Sequence, residues 1–401
     1  MPDETAPLYE VSDLTALDFD PFLREALRAG PLVRVRLPHG APQECWLAAR
    51  YESVRFVTSD PRFSRDIVGR PLPTMNKHFI PLDRAVSFVD PPYHTRVRSV
   101  VSSAFNRSAM AALRPRVQAV LDELIDAMIR VGPPADLVQH VTSPFPSHVT
   151  GALLGVPEAD RPRLCTWANA VLTRAKDEDE IERARQAKEE GSAFFADLAR
   201  RRRSEPQDDL ISEMQAEVSS GRIEEEELLA LVTLMAFNGW HAVRNHTSNM
   251  VYVLLTDQNL RSRLLDEPHA VPAAVEELLR WIPHKHGVGQ ARIATEDVEV
   301  GGVLVREGEA VYVSYVAANW DERVYPDPHL IDIDRDGPPH LAFGHGPHHC
   351  LAPLLARLEA ELLLTTLITR LPGLRLAVDP HEVVWQKNVL IRGPLSLPVT
   401  W

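Results

Sequence analysis

The chain has 401 residues, of which 45% are hydrophobic and 25% charged, the mix of an ordinary soluble globular protein. That excludes a disordered, collagenous or disulfide-dense chain. Lys and Arg number 43 against 56 Asp and Glu, a net charge of −13, which disfavours a nucleic-acid partner because phosphate binding needs clustered cations.

The start, Met1-Pro2-Asp3-Glu4-Thr5, is acidic and lacks the basic-then-apolar order of a signal peptide. No apolar run approaches the ~18 residues needed to span a bilayer. The expected setting is cytoplasmic, with no membrane partner. Cys45, Cys165 and Cys350 are the only cysteines, so a special cysteine is expected as a ligand or nucleophile rather than half of a disulfide.

Leu32–Leu37 alternates with period two and Cys45–Ala49 follows a Pro/Gly-containing turn, which predicts a hairpin. After Asp90-Pro91-Pro92 the pattern turns helical. Val117, Val120, Leu121, Leu124, Ile125 and Met128 recur at helical spacing, and similar stripes continue to about residue 285. Arg200-Arg201-Arg202-Arg203 reads as a solvated loop between acidic helices, and Lys176–Glu190 as an exposed charged helix face. Val298–Val305 reads as a hairpin about Gly301-Gly302, and Ala310–Val316 as a buried strand. A last helix runs from about Cys350 to Arg370. Although about 150 residues per domain would allow two or three domains, 33 prolines without a low-complexity linker, and no internal repeat, favour one domain over residues 1–401. The fold class is mainly α, one large helical domain with small peripheral β-sheets.

The most informative segment is Phe343-Gly344-His345-Gly346-Pro347-His348-His349-Cys350-Leu351-Ala352. Its glycines permit positive φ, turning backbone N–H groups toward a sulfur, and Cys350 stands where a helix begins, which favours a thiolate. Such a thiolate suits iron ligation. The H-x-x-H-H-C cluster also admits zinc, but neither other cysteine supplies a Cys-x-x-Cys partner. The loop resembles the haem-binding signature of cytochrome P450 enzymes in Phe343, Gly344, Gly346, His348, Cys350 and Ala352, with Ala352 in the commoner Gly position. The resemblance extends over nearly the whole chain. Glu277 and Arg280, one helical turn apart, resemble the family's structural Glu-x-x-Arg pair. His94 and Arg98, within Asp90–Arg98, resemble its haem-propionate donors, as do Arg292 and His348. Asp208–Ile211 and Asn319-Trp320-Asp321 also match, the latter with Trp320 in place of the usual Arg.

The resemblance implies the cytochrome P450 fold and haem b (iron protoporphyrin IX), with Cys350 as axial metal ligand. It also implies dioxygen as co-substrate, with electrons from NAD(P)H through ferredoxin and ferredoxin reductase. Arg96, Arg107, Arg114 and Arg116 are expected to form a basic docking face on an otherwise acidic protein, read as a monomer.

One departure bears on the reaction. The central helix reads Phe237-Asn238-Gly239-Trp240-His241-Ala242, where the family has Ala-Gly-x-acid-Thr. Aligned on Gly239, His241 takes the acid position and Ala242 the threonine position. In ordinary members that pair delivers protons during dioxygen activation. Three readings stand: water or a substrate hydroxyl replaces the threonine and the enzyme hydroxylates; oxidation starts at an aromatic N–H or O–H and ends in radical coupling; or the protein is peroxide-driven or a non-catalytic haem-thiolate sensor. His241 is either a group titrating near neutrality or a histidine facing a neighbouring helix.

Family position makes Ile67–Phe88, Trp167–Leu172, Gly287-Val288-Gly289 and Val389-Leu390 the expected pocket, with Met75, Phe79, Phe88, Asn238, Val288 and Leu390 as candidates. Each is equally suited to core packing. The chain resembles actinobacterial biosynthetic members, some of which join indole-containing cyclic dipeptides to a second aromatic unit.

Overall fold

A computed structural model describes residues 6–10, 14–75, 85–173, 175, 177–285, 288–387, 389 and 391–401. The helix Arg107–Val131 follows from its sequence: the Asn106 side chain caps it by accepting from Ala109 N at 2.9 Å, and Gly132, at φ 85°, ends it. Met110, Val117, Leu121, Ile125 and Met128 form its buried stripe. The central helix, Glu225–Thr256, runs for 32 residues. A capping box between Glu224 and Glu227 starts it, and it is buried on most of its circumference, as a helix through the middle of a core must be. Helices Pro144–Leu154, Arg161–Leu172 and Glu178–Ser204 pack around it.

A five-stranded sheet stands to one side in the order Val33–Arg36, Glu44–Ala48, Ala310–Val313, Arg292–Ala294, Phe63–Ser64. The first two strands are the expected hairpin. Glu44–Ala48 pairs in parallel with Ala310–Val313, and the remaining pairs are antiparallel. Ser64 lies opposite Ile293, so this sheet sets Arg65 and Arg292 close together although they are remote in sequence. A two-stranded hairpin turns at Gly301-Gly302, both at positive φ. The expected strand Ala310–Val316 ends at Val313, because Ser314 caps a short helix from Tyr315 to Ala318.

Three expectations need correction. Arg200–Arg203 is not a loop but the last turn of the helix Glu178–Ser204. There Arg202 reaches Asp209 at 2.5 Å and Gly155 O at 2.9 Å, so a buried carboxylate and a helix-end carbonyl hold the run in register. The proposed basic face is half used internally. Arg96 grips buried Glu227 at 2.5 Å, fastening the start of the central helix, and Arg114 pairs with Glu361 at 3.0 Å. The last helix begins at Pro353 rather than at Cys350, since proline suits the first helical position and leaves the cysteine in the preceding loop. Within Lys176–Glu190, Ile181, Ala184 and Ala187 are buried; Lys176 lies outside the described residues.

Among the described residues no helix is long and apolar enough to cross a membrane.

Candidate active site

Glu277 and Arg280 sit on the helix Val271–Trp281, both buried. Arg280 donates to both Glu277 carboxylate oxygens, at 2.8 and 2.7 Å, and to the carbonyls of Asn319, Pro328 and Leu330. Glu277 also accepts from Asp332 N and Arg335. The pair thus ties its helix to residues 319–335, and Asn319 Oδ1 passes the tie on by accepting from Leu341 N at 2.7 Å. Trp320, the departure from the usual Arg, stacks on Phe19 at 4.4 Å and donates to Trp281 O.

The cysteine loop follows directly. Gly344 and Gly346 lie at φ 79° and 73°, and a Cβ on Gly346 would stand 2.1 Å from Thr58 O. Glycine is therefore required both by the backbone and by the close approach of the helix Tyr51–Ser59. Cys350 N donates to Phe343 O at 2.7 Å, folding the loop back, while Arg98 donates to Cys350 O at 3.1 Å. Burial raises the Cys350 thiol pKa, opposed by the Ala352 N–H and by the positive charges of Arg98 and Arg357. The loop's three histidines diverge. His345 bonds Thr58, His348 meets the His94 ring with centroids 4.4 Å apart and planes tilted by 53°, and His349 lies against Phe343. Among the described residues no group of three or more His, Cys, Asp or Glu is arranged to hold a metal ion.

Above the loop opens a cavity of about 580 Å³. One wall gathers His94, Arg98, Arg292, His348 and Arg65, a residue that no sequence feature had flagged. Neither ring nitrogen of His94 has a partner, nor do Arg292 Nη1 and Arg65 Nε, all buried. Burial, then Arg65, His94, Arg292 and Arg98, push His348 down to about 2, and burial followed by Arg292 pushes Arg65 down to about 9. Although each arginine donates one or more hydrogen bonds within the protein, the remaining unpartnered buried nitrogens and gathered positive charge suit an anion.

Across the cavity the central helix presents Asn238, Gly239, Ala242, Val243, His246 and Thr247. Asn238 Nδ2 donates back to Leu234 O, and the absence of a Cβ at Gly239 lets Thr150 approach closely. His241 does not line the cavity. Its ring is buried beside Trp240, with Nε2 3.4 Å from Asn245 Nδ2, and burial followed by Arg244 pushes its pKa down to about 4. The cavity-lining positions of this helix recur as the pairs Asn238–Gly239, Ala242–Val243 and His246–Thr247, and His241, about 100° before Ala242 on the side away from Val243, falls outside that stripe.

Of the pocket candidates, Phe88 and Asn238 line the cavity, whereas Met75 and Val288 belong to a neighbouring hydrophobic cluster with Ile67. Phe79 and Leu390 lie outside the described residues, as does Gly287. Trp167 packs in the core against Phe194 and Phe195, while Val171, Leu172, Gly289 and Ile391 reach the cavity. Sequence reasoning also missed Thr150, His246, His284 and Glu359 on the cavity wall.

Residues 165–388 match the sequence profile of the cytochrome P450 family. The chain is a cytochrome P450. It is 44% identical over 390 residues to biflaviolin synthase CYP158A1 of Streptomyces coelicolor, covering 97% of this chain and 95% of that one. It is 43% identical to nocardicin C N-oxygenase of Nocardia uniformis subsp. tsuyamanensis, covering 98% of each. Among solved structures, cytochrome P450mel 107F1, described as having biaryl coupling reactivity, superposes with a TM-score of 0.95 at 38% identity, covering 99% of this chain and 100% of that one. This P450 is thus an oxidising enzyme that groups with those of actinobacterial secondary metabolism, a family that uses haem, a cysteine thiolate and dioxygen. The residues present fit haem: the unpartnered Arg65 Nε, Arg292 Nη1 and His94 ring nitrogens suit its two carboxylates, and a loop turned by two positive-φ glycines brings the half-buried Cys350 to the same cavity as Ala242.

Proposed function

We propose that this P450 joins aromatic units by oxidative coupling, an indole-containing cyclic dipeptide being one partner. The observation that carries the reading is Ala242, which lines the cavity and brings no hydroxyl where the family uses one. Bound haem would activate dioxygen with two electrons. Cys350 would ligate its iron. His94, Arg98, Arg292 and His348, joined by Arg65, would hold its propionates, with Phe343, Gly344 and Ala352 shaping the loop. Gly239 and Ala242, which line the same cavity, would leave room for substrate. In coupling, two aromatic molecules each lose one hydrogen, one new bond joins them, and dioxygen with NAD(P)H and a proton leaves as two waters. No oxygen atom enters the product, and the two hydrogens lost by the aromatic partners end in water, so the substrates themselves supply hydrogen where the family has a hydroxyl.

The names of two relatives, biflaviolin synthase and a P450 with biaryl coupling reactivity, support this reading. Hydroxylation is the second reading, supported by 40% identity to mycinamicin IV hydroxylase/epoxidase of Micromonospora griseorubida. Electrons reach the enzyme through ferredoxin and ferredoxin reductase, and residues 1–401 act as one catalytic domain. That last point is supported by a cavity whose walls draw on residues from Arg65 to Ile391.

The test is Ala242→Thr, assayed for coupled product and for peroxide leakage. The coupling reading expects the variant to form no more product than wild type. A clear gain in product, with less peroxide, contradicts it.

A further inference from the structure

Away from the cysteine and the anion-seeking wall, two imidazoles meet at the cavity. His246 lies one helical turn beyond Ala242, and His284 lies just past the helix that carries Glu277 and Arg280. Their rings touch edge to face, with centroids 4.9 Å apart and planes at 85°. His284 Nδ1 stands 3.4 Å from Ile282 O, a carbonyl that can only accept. That assigns the proton to Nδ1 and leaves Nε2 a bare lone pair. His246 Nε2 is buried with no partner at all. Burial keeps both rings neutral: His284 is pushed down to about 4 and His246 well below its ordinary value, each lowered further by neighbouring His and Lys charges. Val243, Leu172 and Ile391 line the same cavity, so an acceptor left without a donor there is costly.

We infer that the His246–His284 pair is an acceptor site that selects substrates carrying an aromatic N–H or O–H, indoles or phenols, and orients that group in the cavity. The inference rests on the reading of the substrate as aromatic and adds what recognises it. A neutral imidazole fixed by a carbonyl at one nitrogen presents only a lone pair, so it rewards a donor and penalises a methylated or hydrogen-capped analogue. Sites of this kind discriminate more strongly than apolar ones, because the analogue leaves a buried polar atom unpaired.

The test uses the haem-loaded protein and two matched probe pairs, 2-naphthol against 2-methoxynaphthalene and indole against 1-methylindole. Binding is read from the ferric Soret shift and by calorimetry, without turnover. Wild type should prefer each donor by about tenfold, the value of one net hydrogen bond. His284→Phe should collapse that preference, and His284→Gln, whose carbonyl also accepts, should restore part of it. Where His284→Phe loses haem, His246→Phe and His284→Gln carry the comparison, each expected to weaken the preference. No preference in wild type, no binding by any probe, or an undiminished preference in the folded variants would overturn the inference. The coupling reading fails separately, through the products of turnover, since the probe pairs report on recognition whether or not a cyclic dipeptide is coupled.

Discussion

Cys350 carries the chemistry that the rest of the loop exists to protect. Burial disfavours ionisation of its thiol, and the Ala352 N–H, Arg98 and Arg357 oppose that, so the proposed thiolate would draw on these groups and on iron when haem is bound. Cys350→Ser should therefore lose the red-shifted carbon monoxide Soret band while Cys45→Ser and Cys165→Ser keep it. A band that survives in Cys350→Ser refutes the assignment. Arg65 makes a second case. It stands beside Arg292 with Nε unpartnered, and we propose it as a propionate donor alongside Arg98. Arg65→Ala should retain haem less tightly, with haem transfer to apomyoglobin at least as fast as from Arg98→Ala. Wild-type retention would remove Arg65 from the site. Glu359, on the last helix, is fully buried with Oε1 unpartnered, and burial pushes it up to about 8. Between its ordinary pKa of 4.5 and 8 the unfolded chain has lost this proton while the folded chain keeps it. Its contribution to stability therefore falls as pH rises through that window and levels off above it. Glu359→Gln should raise the thermal midpoint more at pH 8 than at pH 5; an equal effect at both would show that Glu359 has a charge partner in the holoenzyme.

Among the elements, the junction at Arg280 has the most to lose. Its guanidinium uses all three nitrogens on one carboxylate and three carbonyls, so Arg280→Met strands Glu277 and breaks the tie to the meander 319–335. Breaking a buried pair costs about 3–5 kcal/mol, and urea unfolding of the variant should show a loss of that order with poorer haem incorporation. A midpoint within error of wild type would mean that Arg335 alone satisfies Glu277. The cysteine loop was legible in the sequence because its residues are contiguous, and Glu277 with Arg280 because the pair resembles the family's Glu-x-x-Arg, their spacing alone being common to many helices; their partners at 319–335 come only with the fold. Arg65 and Arg292 become neighbours only through the pairing of Ser64 with Ile293, and a two-residue strand leaves no period to read. His241 shows a different limit. Alignment on Gly239 gives its place along the helix, but the packing of Trp240 and Asn245 decides that it turns from the cavity. Arg202 was misread because a basic run looks solvated until the fold supplies Asp209.

Taken as a whole, the molecule lines one cavity with a helix that has no hydroxyl at Ala242, with Arg65, Arg98 and Arg292, and with the half-buried Cys350. Arg96 and Arg114 stay partly exposed while pairing with Glu227 and Glu361. The proposed coupling is decided in the cavity, where a substrate that gives up its own hydrogen would stand in for the missing alcohol. Turnover under ¹⁸O₂ with a ferredoxin system, followed by mass spectrometry of the main product, tests that directly. The expected result is a coupled product free of heavy oxygen. One ¹⁸O atom in the main product would mean ordinary monooxygenation and would contradict it.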